Sequence, residues 1–295
     1  MSSADSFIPA AAAVTPPAPA GRSFQWRSLE FILGAVLTGT MVLLVLLSVW
    51  IFPDRGAAMD LGARLTAPFT QWSHPLGADP LGRDVLARVL VGGRISLFVG
   101  VVSVLGASLI GITVGLIAGY YRGVWDMILM RCVDVQLALP FILVALTFIS
   151  ILGGGLTNII LFMIVSQWVQ YARVVRGMVL SVREREFVQA ARAFGVRDFA
   201  MVRHHILPNI IGPVIILMTM SVATNILLES SLTFLGLGVD PLIPSWGGML
   251  ADGRTYMQTA WWVTVFPGVA IMLTVLGLNL LGDWLRDRID PTGKH

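Results

Sequence analysis

Apolar residues in this chain come in long blocks separated by short polar interruptions. Six stretches, at about 31–52, 95–120, 133–152, 156–171, 210–235 and 261–285, consist almost entirely of aliphatic, aromatic and small side chains. At ~1.5 Å of rise per residue, roughly 20 such residues cross the ~30 Å hydrocarbon layer of a bilayer. The pattern predicts an all-α polytopic membrane protein with six transmembrane helices. The fourth stretch is the shortest and carries Ser166, Gln167 and Gln170. The first is too long for a signal-peptide core and has no small-residue cleavage site after it, so it is expected to remain as a spanning helix.

The polar remainder divides the chain. Residues 1–28, with "IPAAAAVTPPAPAG", read as a disordered tail. A loop over 53–94 precedes a transmembrane core over 95–285, which carries a basic loop at 181–208. Residues 286–295 close the chain. The basic residues are unevenly shared among these segments. Fourteen of the twenty fall on the side of the N-terminus, seven of them (Arg173, Arg176, Arg183, Arg185, Arg192, Arg197 and Arg203) between the fourth and fifth spans. Only Arg55, Arg64, Arg83, Arg88, Arg94 and Arg254 fall on the other side. The positive-inside rule then places both termini and the basic loop in the cytoplasm.

Composition agrees: 56% of the 295 residues are hydrophobic and 13% charged, with a mean hydropathy of +0.81, outside the range of soluble domains. The lone cysteine, Cys132, excludes an intrachain disulfide and a multi-cysteine metal site. Lys294 is the only lysine. A phosphate-binding G-x-x-x-x-G-K-[ST] loop is therefore absent, and if ATP drives this protein another chain must bind it. No catalytic constellation stands out. His204 and His205 are adjacent and point different ways on a helix, which argues against a metal site.

The basic loop reads as two short helices. Phe187, Ala190, Ala191 and Phe194 recur at helical spacing on one face. Gly195 falls where a glycine stops a helix, and Asp198 can cap a second one running to Leu207, with Pro208 opening the fifth span. An exposed Phe/Ala face bordered by arginines needs a cover. The pattern alone leaves two: the lipid headgroup layer or a partner protein.

"QAARAFGVRDFAMVRHHILP", Gln189 to Pro208, resembles the E-A-A-x-x-x-G…I-x-L-P coupling motif of ABC importer permeases, with Gln189 in place of the glutamate and His205 in the isoleucine slot. "HPLGADPLGRDVLARVLVGGRISL" and "LLESSLTFLGLGVDPLIPSWGGML" look like the C-type (DppC/OppC-like) permeases of the dipeptide/oligopeptide/nickel branch. The resemblance covers the chain from about Phe31 onward. It implies a pore shared with a second, homologous DppB/OppB-like permease, two ABC ATPases that hold the ATP and Mg, and a periplasmic or lipid-anchored substrate-binding protein in a bacterial inner membrane. This chain would carry no cofactor of its own and bind no nucleic acid. The candidate ATPase-coupling residues are Gln189, Ala190, Ala191, Gly195, Leu207 and Pro208, at the motif positions, together with Phe187 and Phe194 of the exposed aromatic face.

Further features admit more than one reading. Ser103, Ala107, Gly111, Gly115 and Gly119 form a seam of small residues for close helix packing, within this subunit or against the partner permease. Ser221, Asn225 and Glu229 line one face of the fifth span. Ser221 and Asn225 are candidates for lining the pore, whereas Glu229, nearer the outer boundary, suits a hydrogen-bonding role. Arg131 and Asp134 are spaced to pair. The 53–94 loop either meets the delivery protein or is an ordered cap on the second span. The leading expectation is a peptide-importing permease. The alternatives are an importer of nickel or another small solute and, further off, an ion-driven secondary transporter or a membrane-embedded enzyme.

Overall fold

The computed structural model describes residues 23–52 and 58–289, and among these it is all-α. Ten α-helices follow in order: α1 Ser23–Ile51, α2 Val85–Tyr121, α3 Gly123–Ala138, α4 Phe141–Leu152, α5 Leu156–Arg183, α6 Glu186–Ala193, α7 Asp198–Met201, α8 Leu207–Phe234, α9 Trp246–Gly253 and α10 Trp262–Ile289. Five continuous helices are long and apolar enough to cross a bilayer. A sixth crossing is available from α3 and α4, which meet at a 92° bend.

That bend corrects the expectation of one straight span over 133–152. Pro140 has no N–H to donate and pushes Leu139 into extended backbone (φ −86°, ψ 131°), so the helix stops and restarts. The pair still has to return the chain across the membrane, because α2 and α5 run in the same direction. Ser103 lies beside Met163, Gly111 beside Trp168 and Tyr171, Gly115 beside Ala172 and Val175, and Gly119 beside Arg176 and Val179. The register advances in step on both helices.

The five-residue seam therefore packs within this chain, as the bed for α5. At Gly111 a Cβ would stand 2.4 Å from Tyr171 Cβ and 2.5 Å from the Trp168 carbonyl oxygen. Only glycine admits so close a backbone approach.

Several boundaries move. α1 begins at Ser23, inside the tail expected to be disordered; residues 1–22 lie outside the described part. α2 begins at Val85, ten residues earlier than the expected 95, capped by Asp84, whose carboxylate accepts the Leu86 N–H at 3.0 Å. α5 continues past 171 to Arg183 because its arginines find carboxylates on α3. Arg173 pairs with Asp134 at 2.8 Å and Arg176 clasps Asp126, one bond at 2.7 Å. Arg131 is thus left without the Asp134 partner that its spacing suggested.

At the opposite end the 58–84 segment is an ordered cap on α2, centred on Asp79, which is fully buried. Its carboxylate accepts the N–H groups of Leu81 (2.8 Å) and Arg83 (2.9 Å), the Arg83 guanidinium (2.6 Å) and the Arg88 guanidinium. Burial alone would raise the Asp79 carboxyl. The Arg83 N–H and the charges of Arg88 and Arg83 outweigh it and hold it below the ordinary value. Trp262 donates its indole N–H to the Ala78 carbonyl (3.1 Å), fastening α10 to the cap, and buried Trp246 donates to the Val89 carbonyl (2.8 Å), fastening α9 to the start of α2. α1 lies at the periphery and meets α10 where Gly277 faces Thr38 and Gly34 faces Leu280.

Candidate functional site at the arginine-rich end

At the other end of the bundle, α2, α5, α6 and α7 converge on one buried cluster that includes Tyr120, Val179, Val188, Met201 and Ile206. The chain leaves α5 through a turn in which the Gln189 amide donates to the Glu184 carbonyl at 3.1 Å. A glutamate could not donate that bond. The departure from the family pattern at this position therefore has a local structural use.

α6 ends as its sequence predicts. Gly195 has φ +76°. Its N–H bonds to Arg192 and that of Val196 to Ala191, the paired bonds of a Schellman stop. Val196 and Ala191 both pack against the buried cluster, which fixes the exit direction.

Tyr120 holds the loop to the bundle. Its hydroxyl donates to Asp198 at 2.6 Å and its carbonyl accepts from Arg183 at 2.6 Å. The guanidinium groups of Arg183 and Arg192 lie 5.7 and 5.9 Å from its ring centre. Asp198 is therefore not the side-chain cap of its own helix. It ties α7 to the end of α2. Nothing in the sequence around Tyr120 announced this role, beyond its place at the end of an apolar block.

The predicted face divides. Phe187, Ala190 and Phe194 are exposed, Phe194 to 89%. Gln189, Gly195 and Pro208 are exposed as well, whereas Ala191 and Leu207 turn partly inward onto the cluster. Phe199, which the periodicity passed over, is 75% exposed. Among the described residues Arg185, Arg197 and Arg203 pair with no carboxylate, so the loop shows bare aromatics and unneutralised cations together.

The second short helix of the loop is not separate. α7, a π-helical turn at Val202–Ile206 and α8 form one helix, Asp198–Phe234, 37 residues long. At ~1.5 Å per residue this is a rod of about 55 Å. Its base is the exposed loop, and its far end reaches the α9 side of the molecule, where α8 packs on α9.

The polar line on α8 lies largely inside this chain. Asn225 and Glu229 are fully buried within this chain and Ser221 is partly so. Glu229 accepts hydrogen bonds from Thr233 (2.9 Å) and Ser230 (3.4 Å). Asn225 and Glu229 face the chain's own helices, where a polar group is less costly than in lipid.

The family model of the binding-protein-dependent transport system inner membrane component matches residues 111–294. The dipeptide transport permease DppC of Alkalihalophilus pseudofirmus is 40% identical over 89% of this chain and 86% of its own length. The glutathione transport permeases GsiD of Pectobacterium atrosepticum and Escherichia coli are 43% and 42% identical, over 74% and 85% of this chain and 73% and 84% of theirs. With its helices, its loop and these relatives, the chain belongs to the binding-protein-dependent inner-membrane transport components: it is a DppC/OppC-like permease subunit of an ABC importer, a multi-pass inner-membrane protein and not an enzyme.

Proposed function

We propose that this chain forms half of the pore of a peptide importer and that separate ATPases, holding the ATP and Mg, grip its 181–208 loop in the cytoplasm. The second half of the pore is a homologous permease, and a substrate-binding protein delivers peptide at the capped end. The observation that carries this reading is Phe194, 89% exposed, beside a glycine stop and at the foot of the Asp198–Phe234 helix. Phe187, Ala190, Phe194 and Gly195 make the contact. Ala191, Leu207 and Pro208 set the angle at which the foot meets the rod. The excess of arginine at this end supports placing it, with both termini, on the cytoplasmic side. Relatives named for dipeptide and glutathione transport favour a substrate with amide bonds and free carboxylates.

Uptake of a dipeptide into proteoliposomes holding the whole importer tests this. Transport is expected to stop when the ATPase catalytic residues are inactivated; uptake that persists points to an ion-driven carrier. Uptake of nickel but not dipeptide would retain the coupling and overturn the substrate.

Replacing Gly195 with valine places a β-branched side chain at φ +76° and costs roughly 1–3 kcal/mol of local strain. Nothing lies within 4 Å of the added Cβ, so the effect is conformational rather than a clash. The variant is expected to insert normally and to lose peptide-stimulated ATP hydrolysis, whereas Gly195→Asn, which tolerates this backbone, keeps most of it. Equal coupling in both variants would show that the stop does not position the foot.

A further inference from the structure

The α3–α4 break stands where a straight helix was expected, and its surroundings give it a chemical character. Gln136, four residues before Pro140, donates to the Val165 carbonyl (2.5 Å) and accepts from the Trp168 indole (3.0 Å). Val165 and Trp168 lie in the middle of α5, so the break sits deep between the two ends of the bundle. A helix end leaves backbone carbonyls and N–H groups without intrahelical partners. Inside a bilayer such groups occur where they are covered by protein or line a water-filled path, never against lipid. Leu137, Ala138, Leu139 and Pro140 are all exposed in this chain.

Beside the break is a cavity of about 520 Å³, lined by Arg131, Cys132, Gln136, Val144, Phe148 and Ser166 among others, within the ~300–1,000 Å³ of ordinary small-molecule sites. Its walls are mostly apolar, and its few polar groups are the Arg131 guanidinium, the Cys132 thiol, the Gln136 amide and the Ser166 hydroxyl, whose proton goes to the Met163 carbonyl at 3.2 Å and leaves its oxygen as an acceptor. The lining holds no carboxylate, because the nearby Asp134 pairs with Arg173. Among the described residues Arg131 has no anionic partner, and Gln170, which adjoins the same crook, makes no hydrogen bond.

We propose that the crook between α3 and α4 is a waypoint on the transport path that holds a short peptide, its free carboxylate on Arg131 and its amides on Gln136 and Ser166. Val144 and Phe148 provide the apolar wall for side chains. A guanidinium forks onto a carboxylate with two parallel N–H bonds. The neutral amides recognise peptide groups without choosing among side chains, which suits a carrier of varied sequences. The inference rests on the peptide-importer reading and adds where on this chain the peptide is held and by which end.

Cys132, the chain's only cysteine, lies exposed in the lining and serves as a native reporter. The whole importer in nanodiscs, turning over with ATP and its binding protein, is treated with a charged methanethiosulfonate reagent. Modification of this chain is followed by intact mass. Alanyl-alanine is expected to slow labelling of Cys132 by about tenfold, the worth of one charge-assisted contact. Alanyl-alanine amide, lacking the carboxylate, should slow it far less, and Arg131→Gln should abolish the difference between the two. The proposal is overturned if Cys132 is unreactive to the water-borne reagent, if alanyl-alanine is transported without protecting it, or if Arg131→Gln still discriminates the two peptides. If the wild-type importer does not transport alanyl-alanine at all, the peptide reading itself falls and the waypoint with it.

Discussion

Replacing Asp79 with alanine is expected to loosen the whole cap, lowering stability by about 3–5 kcal/mol, the range found when one member of a buried ion pair is removed. Asp79 is fully buried and serves four donors at once. Its loss strands the Arg88 guanidinium, whose side chain is 3% exposed. Asp252, the other carboxylate in reach, stands 3.4 Å from Arg88 and is itself 41% exposed, too wet to compensate. The N–H groups of Leu81 and Arg83 lose their acceptor as well. Protease cleavage within residues 58–84, measured in nanodiscs, should become rapid in the variant, and resistance equal to wild type would show that the cap is held without the Asp79 cluster, by contacts such as that of Trp262. Acid offers the same test without a mutation. The carboxyl is held below its ordinary 3.8, so its stabilising contribution is fully present above that value and is lost as pH falls through the depressed one. Cap opening should therefore begin only below about pH 4, and the alanine variant should lack that step.

Gly111→Leu is expected to be the most damaging single change within the membrane. The added Cβ would meet backbone atoms of α5, the Trp168 carbonyl oxygen at 2.5 Å and the Ala172 nitrogen at 3.0 Å. A side chain can turn away from such a clash, but a helix backbone cannot. α2 and α5 must then separate, at ~1–3 kcal/mol or more for overpacking and with loss of the close contact that holds helices together in lipid. Gly177→Leu on α5 is the control, because no atom lies within 4 Å of its Cβ and leucine favours a helix over glycine by nearly 1 kcal/mol. Thermal unfolding in nanodiscs should show a clear drop in midpoint for the first variant and none for the second. Equal midpoints would remove the seam from its role as the α5 bed.

Length and hydropathy made the spans and the all-α class legible, because a bilayer leaves few ways to satisfy backbone polar groups. The Gly195 stop was legible for a similar reason, since a single residue type dominates that backbone position. What escaped was pairing at a distance. α5 outran its expected end because Arg173 and Arg176 are neutralised by α3, and no local pattern announces a carboxylate 39 or 50 residues earlier. Asp198 looked like a cap and instead serves Tyr120, 78 residues away. The polar line on α8 was legible as a line, but the direction it faces depends on neighbours, and Asn225 and Glu229 lie buried within the chain. The break at Pro140 is different, since the proline rule alone would have placed it. The apolar run on both sides concealed it.

The central claim is that the exposed foot is seated in an ATPase. Its most direct test is photocrosslinking from Phe194→p-benzoylphenylalanine in the complete importer, reconstituted in nanodiscs and sampled with and without ATP. The expected result is a covalent adduct to the ATPase subunit whose yield changes with nucleotide. Adducts to lipid alone, from an importer that still transports, would contradict it.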